Sequence, residues 1–181
     1  MLGYFLIVFM LPFKGMIGNR QKKMTNSYIK NPKSISDQEA HWILKDLAWD
    51  EYNNGNLKKA KDYANELLRL NNLLDKNWNY GNAIHHSHTI LGLISLDSHK
   101  VSEAKKHLLL SGKTPGSPQL DSFGPTFLLA QRLLDEEEFG TVKKYLTRCG
   151  KFWKRDNGKI AHWVEQINHG DKPQLQARAN T

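Results

Sequence analysis

The feature that most limits the possible folds is the pattern of apolar residues between positions 82 and 110. In its first half, Ile84, His88 and Leu91 recur at intervals of three or four residues. This is the spacing of one face of an α-helix, not the alternation of a strand. A short polar segment, residues 97–100, then precedes a second pattern of the same kind. We therefore predict two helices joined by a tight turn.

Small residues recur at a fixed distance within this pattern and upstream of it. Ala48 and Ala60 flank a polar turn at residues 53–56, and Gly92 and Ala104 flank the turn described above. The two pairs are offset from each other by 44 residues. Glycine inside a helix costs about 1 kcal/mol relative to alanine, so we expect a packing reason for it. Close approach of a neighbouring helix at these four positions would supply that reason.

A pair of helices with one small residue in each resembles the tetratricopeptide repeat. The best local match is residues 54–60, Asn-Gly-Asn-Leu-Lys-Lys-Ala, followed by residues 101–104, Val-Ser-Glu-Ala. The resemblance covers residues 43–153 and includes a fainter third copy around Ala130 and Val142. It implies an all-α fold, a right-handed superhelix of antiparallel helix pairs, that is, a tetratricopeptide-like α-solenoid. Residues 159–168 carry an apolar face that suits a C-terminal capping helix.

The sequence departs from that family in the length of the repeat. Tetratricopeptide units run about 34 residues, and the extra residues here fall in segments 73–81 and 112–124. Residues 82–88 and 114–125 also resemble segments of an uncharacterised bacterial family of this class, which brings no known activity with it. In tetratricopeptide proteins the first helix of each pair lines a concave groove. The resemblance therefore implies a scaffold that binds a protein or peptide, without catalysis.

The 181 residues are enough for one domain with a real core. We predict an apolar run followed by a basic flexible linker over residues 1–35, the helical domain over 36–169, and a disordered tail over 170–181. Ser36, with Glu39 three residues later, predicts a capping box at the start of the first helix of the domain.

Residues 2–13 form the only strongly apolar run, and twelve residues fall short of the roughly 20 that a membrane-spanning helix needs. No basic residue precedes the run and no cleavage pattern follows it, so it makes a poor secretory signal. Two alternatives remain. Residues 2–17 act as a weak membrane tether, or synthesis begins at Met24 and the run is not made. Both place the folded body in the cytoplasm, in the first case tethered to the inner face of the membrane.

The net charge of +8 is concentrated at the N-terminus. Residues 1–33 contain six Lys and Arg and no acidic residue, which leaves +2 for the rest of the chain. Because a folded nucleic-acid reader normally carries its basic patch on the domain itself, we do not expect the body to bind nucleic acid. The single cysteine, Cys149, excludes an internal disulfide, and we predict that it is a buried thiol.

Several residues are candidates for contact with a partner. One face of the first helix carries Trp42, Trp49 and Tyr52. An aromatic stripe of this kind is more often packed in the core than exposed to a partner. The segment 112–124 is either an ordered loop against the groove or a plain connector, and Pro125 is expected to open the next helix. The full set of predicted groove residues is Trp42, Trp49, Tyr52, His85, His86, Thr89, Pro115 and Phe123.

Three histidines lie within four residues, at His85, His86 and His88. We predict that His88 faces the core while His85 and His86 lie in the groove or at the surface. The alternative is a metal-dependent enzyme built on His85 and His88, which would share a helix face. No further ligand motif accompanies them, so we predict neither a metal nor a cofactor. The sequence leaves the oligomeric state open.

Overall fold

The computed structural model describes residues 19–74 and 77–176, and every regular element in these two ranges is helical. The predicted all-α class is therefore confirmed for this part of the chain. A 3₁₀ turn at Pro32–Ser34 follows the first helix. The α-helices are α1 Asn19–Lys30, α2 Asp37–Asn53, α3 Leu57–Leu73, α4 Tyr80–Asp97, α5 Val101–Ser111, α6 Pro118–Phe123, α7 Leu128–Asp135, α8 Phe139–Cys149 and α9 Lys159–Asn168.

Helix α2 begins where its capping signal predicts. The Glu39 backbone N–H donates to the Ser36 hydroxyl at 3.3 Å, and the Ser36 backbone N–H donates to the Glu39 carboxylate at 3.1 Å. Two donors that the helix itself cannot satisfy are thereby paired. The capping box is confirmed.

The helices pack as successive pairs. Helix α2 packs on α3, α4 on α5, and α7 on α8. The first helix of each later pair contacts both helices of the pair before it, so that α4 contacts α2 and α3 while α7 contacts α4 and α5. Helix α9 packs on α8 at one end, and α1 packs on α2 at the other.

The four small residues lie in the seams between helices, as predicted. Ala48, Ala60 and Ala104 have no exposed surface, and Gly92 is also buried. A Cβ atom added to Gly92 would stand 2.2 Å from Leu129 Cδ2, on α7, and 3.1 Å from His107 Cβ, on α5. A larger residue here would force the buried Leu129 side chain to move, so the close packing of α4 on α7 and α5 accounts for this glycine.

The core is richest in aromatic rings at its C-terminal end. Phe127 contacts Tyr145, Trp153 and Trp163, with ring centroids 5.2–6.1 Å apart. Cys149 is fully buried, which confirms the prediction for this residue, and burial raises the pKa of its thiol to about 12. A thiol held neutral at physiological pH is a poor nucleophile, so packing accounts for its position.

The expected flexible linker is wrong over residues 19–30, which form α1. Tyr28 is buried, and its ring lies 6.2 Å from that of Tyr63 on α3. The Gln21 side-chain amide also donates to Asp46 on α2 at 2.9 Å. The basic composition of the segment concealed a short apolar face, formed by Met24 and Tyr28 four residues apart.

Two expectations near the C-terminus also need correction. Helix α7 begins at Leu128 and not at Pro125, which is buried in the connection before it. The predicted disordered tail lies against the domain up to residue 176: Leu175 is buried, and its N–H donates to the Gln131 side chain at 2.8 Å. Residues 177–181 are outside the described residues.

The N-terminal apolar run, residues 2–13, and the predicted tether, residues 2–17, also lie outside the described residues. Within residues 19–74 and 77–176, no helix is both long enough and apolar enough to cross a bilayer.

Candidate functional site

The predicted aromatic stripe on α2 divides into two environments. Trp49 and Tyr52 are partly buried and meet edge to face, with ring centroids 6.1 Å apart. Trp42 is 49% exposed and pairs instead with Trp78, which is 51% exposed and precedes α4. The centroids of these two indoles lie 5.8 Å apart at an interplanar angle of 79°. Sequence reasoning missed Trp78 as a contact residue, because nothing in its turn-rich surroundings indicates that it meets α2.

Trp42 and Trp78 line an open cleft beside α1 and the start of α2, with a volume of about 760 Å³. We call it the tryptophan cleft. Its other lining residues are Arg20, Gln21, Met24, Ser36, Gln38 and Glu39. This volume falls within the range of sites that take small ligands or a few peptide side chains.

The charged groups of the tryptophan cleft are already paired. Arg20 lies 4.0 Å from the Glu39 carboxylate, in a pair exposed to solvent. The backbone and side-chain hydrogen bonds from Ser36 lower the pKa of Glu39, so this carboxylate is ionised at neutral pH. An exposed pair of this kind contributes little to stability. The cleft therefore presents indole faces and edges more than unbalanced charge.

A second aromatic contact connects α2 to α4. The Trp49 indole N–H donates to His86 Nδ1 at 3.2 Å, so the proton of a neutral His86 resides on Nε2. Burial, followed by the neighbouring His85 and Lys45, lowers the pKa of His86 well below its usual range. His86 therefore stays neutral at physiological pH. Its ring is still partly exposed, so Nε2–H can act as a donor.

A polar cluster joins the C-terminal parts of α2, α4 and α7. The Tyr52 hydroxyl donates to Asp97 at 2.9 Å, and the Arg132 guanidinium donates to Asp97 at 2.7 Å and to the Tyr52 hydroxyl at 3.2 Å. Burial, and then the Asp97 carboxylate, raises the pKa of Tyr52 to about 12. The sequence did not predict the contact between Asp97 and Arg132, because 35 residues separate them and no local pattern marks the pair.

The structure removes His85 from the groove. His85 is fully buried, with Nδ1 3.4 Å from the Ser111 carbonyl oxygen and Nε2 3.1 Å from the Thr126 backbone N–H. A carbonyl can only accept and a backbone N–H can only donate, so the ring is neutral and carries its proton on Nδ1. Burial lowers the pKa of His85 to about 4. His85 connects α4 to the end of α5 and to the segment before α7.

Thr89 is likewise wrong as a groove residue. It is buried, and its hydroxyl donates to the His85 backbone carbonyl at 2.8 Å. This bond to the carbonyl four residues earlier satisfies the hydroxyl within α4. Neither Thr89 nor His85 has surface that a partner could reach.

His88 does not face the core as predicted, because it is partly exposed and pairs with His107 on α5. The two Nδ1 atoms lie 3.1 Å apart. Burial lowers the pKa of His88 to about 4, with a further contribution from His107. His85 and His88 thus have different partners and are not brought together as a ligand pair. Across residues 19–74 and 77–176, no three His, Cys, Asp or Glu side chains are arranged to hold a metal ion.

The 112–124 segment is an ordered loop, containing α6, that folds against the first turn of α4. The Thr114 hydroxyl donates to the Gly81 carbonyl at 2.8 Å, and the Ser117 hydroxyl donates to the Asn82 side chain at 2.7 Å. Pro115 is exposed, as is Phe123, at 54%. Of the predicted contact residues, Trp42, Pro115 and Phe123 are therefore exposed, while Trp49, Tyr52 and His86 are partly so.

Acid is expected to destabilise the fold as the pH falls from about 6.5 to about 4. Unfolded His85 titrates near 6.5, whereas folded His85 titrates near 4, so its contribution to stability is complete above pH 6.5. Below that pH the unfolded chain binds a proton at His85 and the folded chain does not. The free energy of unfolding therefore falls by roughly 2–3 kcal/mol by pH 4. Urea unfolding at pH 7.5, 5.5 and 4.5 measures the loss. His85→Gln, which cannot titrate at this position, should reduce the slope by the share of His85 and leave the contributions of His86 and His88, whose pKa values are also lowered. An unchanged slope in His85→Gln would contradict this assignment.

Comparison with known proteins adds no relative. No protein-family model, curated protein or solved structure matches the chain.

Proposed function

We propose that the protein is a tetratricopeptide-like scaffold that binds a peptide or a protein segment along its first helices, α2, α4 and α7, without catalysis. The packing supports this proposal. The first helix of each later pair contacts both helices of the preceding pair, which is how stacked helix pairs generate a superhelix and a concave face. In this arrangement α9 is the capping helix.

The observation that carries the proposal is the exposure of Trp42 and Trp78. Each indole leaves about half of its surface in water, and the two meet in an open cleft. Tryptophan is enriched among the residues that dominate binding energy, because a large rigid ring loses little conformational entropy when it is covered. Single exposed apolar residues are ordinary, but a pair that lines a concave site indicates binding.

Two contacts hold the proposed binding face in a fixed shape. Trp49 and His86 connect α2 to α4, and the Tyr52–Asp97–Arg132 cluster adds α7. A face that is already ordered avoids part of the entropy cost of association. We expect the partner to provide an apolar or aromatic anchor for the tryptophan cleft. We propose that binding takes place in the cytoplasm.

Replacing Trp42 with alanine should weaken peptide binding at least tenfold. Peptides are selected against the wild-type chain from a displayed library of random twelve-residue sequences. Their dissociation constants are then measured by fluorescence anisotropy. Tenfold corresponds to about 1.4 kcal/mol, which is modest for an aromatic anchor. Because Trp42 is half exposed, the variant should keep the wild-type thermal midpoint within a few degrees.

Ile29→Ala is the matched control for this experiment. Ile29 is also on the surface, at 55% exposure, but it does not line the tryptophan cleft. Its replacement should change the dissociation constant by less than twofold. Failure to select any peptide, or equal affinity of Trp42→Ala and wild type for every selected peptide, would count against the proposed function.

A further inference from the structure

We infer that the tryptophan cleft is occupied in the free protein by the chain's own N-terminal apolar run, residues 2–13, which then competes with an external partner. The inference rests on the proposed function only in assuming that an external partner exists. Occupancy of the cleft by the run can be tested without a partner. Three observations carry it: where the chain enters α1, what the run is made of, and what the cleft leaves uncovered.

The run is attached beside the tryptophan cleft. Helix α1 begins at Asn19, and its residues Arg20, Gln21 and Met24 line the cleft. Only residues 14–18 separate Phe13 from α1. Phe13 and Asn19 are therefore six steps apart along the chain, a distance of at most about 22 Å when fully extended, so Phe13 is held within that distance of the start of α1.

The run and the cleft are complementary in chemistry. Ten of the twelve residues from 2 to 13 are apolar or aromatic, and none is charged. Burying each large apolar side chain contributes about 1.5–3 kcal/mol, so a run left in water is strongly disfavoured when an aromatic surface is within reach. In the cleft, Trp42 and Trp78 supply that surface, and Arg20 and Glu39 already pair with each other. An apolar occupant would not leave a lone charge buried.

The size of the tryptophan cleft limits how much of the run it can take. A volume of about 760 Å³ accommodates a few side chains and not twelve residues. The large side chains nearest to α1 should therefore enter, and we assign this part to Phe9 and Phe13. Leu2 and Phe5 are farther along the chain and should contribute less.

Attachment makes even a weak ligand effective. A short flexible connection gives an effective concentration of about 1 mM. If the run alone bound with a dissociation constant of about 0.1 mM, the occupied form would exceed the open form about tenfold. An external peptide would then bind about tenfold more weakly than to an open cleft.

Two double variants of the full chain test the inference. Phe9→Asp with Phe13→Asp removes the assigned anchors, while Leu2→Asp with Phe5→Asp makes the same change in charge farther from α1. The indole N–H signals of Trp42 and Trp78, assigned with single Trp→Phe variants, should shift only in the first double variant. Signals of Trp49, Trp153 and Trp163 should stay in place. Any peptide selected as above should bind the first variant about tenfold more tightly than wild type, and the second within twofold.

Unchanged Trp42 and Trp78 signals in the Phe9→Asp, Phe13→Asp variant would overturn the inference, whatever the peptide result. The proposed function would still stand if Trp42→Ala weakened peptide binding. Sedimentation with phosphatidylcholine–phosphatidylglycerol vesicles tests the alternative, in which the run binds a membrane and not the tryptophan cleft. Three results together would show that the run is a membrane tether and that the inference is wrong. The full chain would pellet with the vesicles, both double variants would pellet less and to the same extent, and the indole signals would not move.

Discussion

Urea unfolding of a His85→Ala variant at pH 7.5 is expected to show a loss of about 4 kcal/mol in the free energy of unfolding. His85 is fully buried, and both of its ring nitrogens are bonded, to the Ser111 carbonyl and the Thr126 N–H. Alanine would leave both backbone groups unpaired in the interior, at about 1–3 kcal/mol each, and would open a cavity between α4, α5 and α7.

His162→Ala is the control, because His162 is an exposed residue of α9. It should change the free energy of unfolding by no more than about 0.5 kcal/mol. If His85→Ala lowered the free energy of unfolding by less than about 1 kcal/mol, the two hydrogen bonds of the ring would not hold α4 to the segment before α7.

A Gly81→Ala variant is expected to lose about 3 kcal/mol and to loosen the 112–124 loop. The added Cβ would lie 1.9 Å from the Gly116 carbonyl oxygen and 2.5 Å from its carbon. These are backbone atoms that cannot rotate away, so the loop would have to move and the bond from the Thr114 hydroxyl to the Gly81 carbonyl would be strained or lost. Urea unfolding gives the loss, and hydrogen exchange at residues 114–120 reports the loosening.

Gly140→Ala is the matched helical control. A Cβ atom at Gly140, in α8, would meet nothing within 4 Å. Because alanine restricts the unfolded chain more than glycine does, this variant should be slightly more stable than wild type, by up to about 1 kcal/mol. Equal stabilities of the two variants would mean that α4 and the loop are not in close contact.

The helices that could be predicted are those with a strong local pattern. The capping box of Ser36 and Glu39 located the start of α2, and the apolar face of residues 159–168 gave the bounds of α9. Helix α1 could not be predicted, because it has only Met24 and Tyr28 as an apolar face among basic residues. Its helical state is supported by contacts with α2 and α3 that lie far away in sequence.

The histidines show why periodicity fails inside a buried helix. Twelve of the eighteen residues of α4 are buried, because α2, α3, α5, α6 and α7 all contact it. A helix surrounded on most sides has no single apolar face, so the spacing of three and four residues could not indicate whether His85 or His88 points inward. The structure buries His85 and leaves His88 beside His107.

Sequence alone determined the helical class, the seams at Ala48, Ala60, Gly92 and Ala104, and the buried state of Cys149, since each depends on helical periodicity or on the size and polarity of one side chain. Only the tertiary structure decided the pairing of Trp42 with Trp78, 36 residues apart, and the cluster of Tyr52, Asp97 and Arg132. These contacts depend on how whole helices are placed against one another. That placement is fixed by the sum of many packing contacts, and no local pattern encodes it.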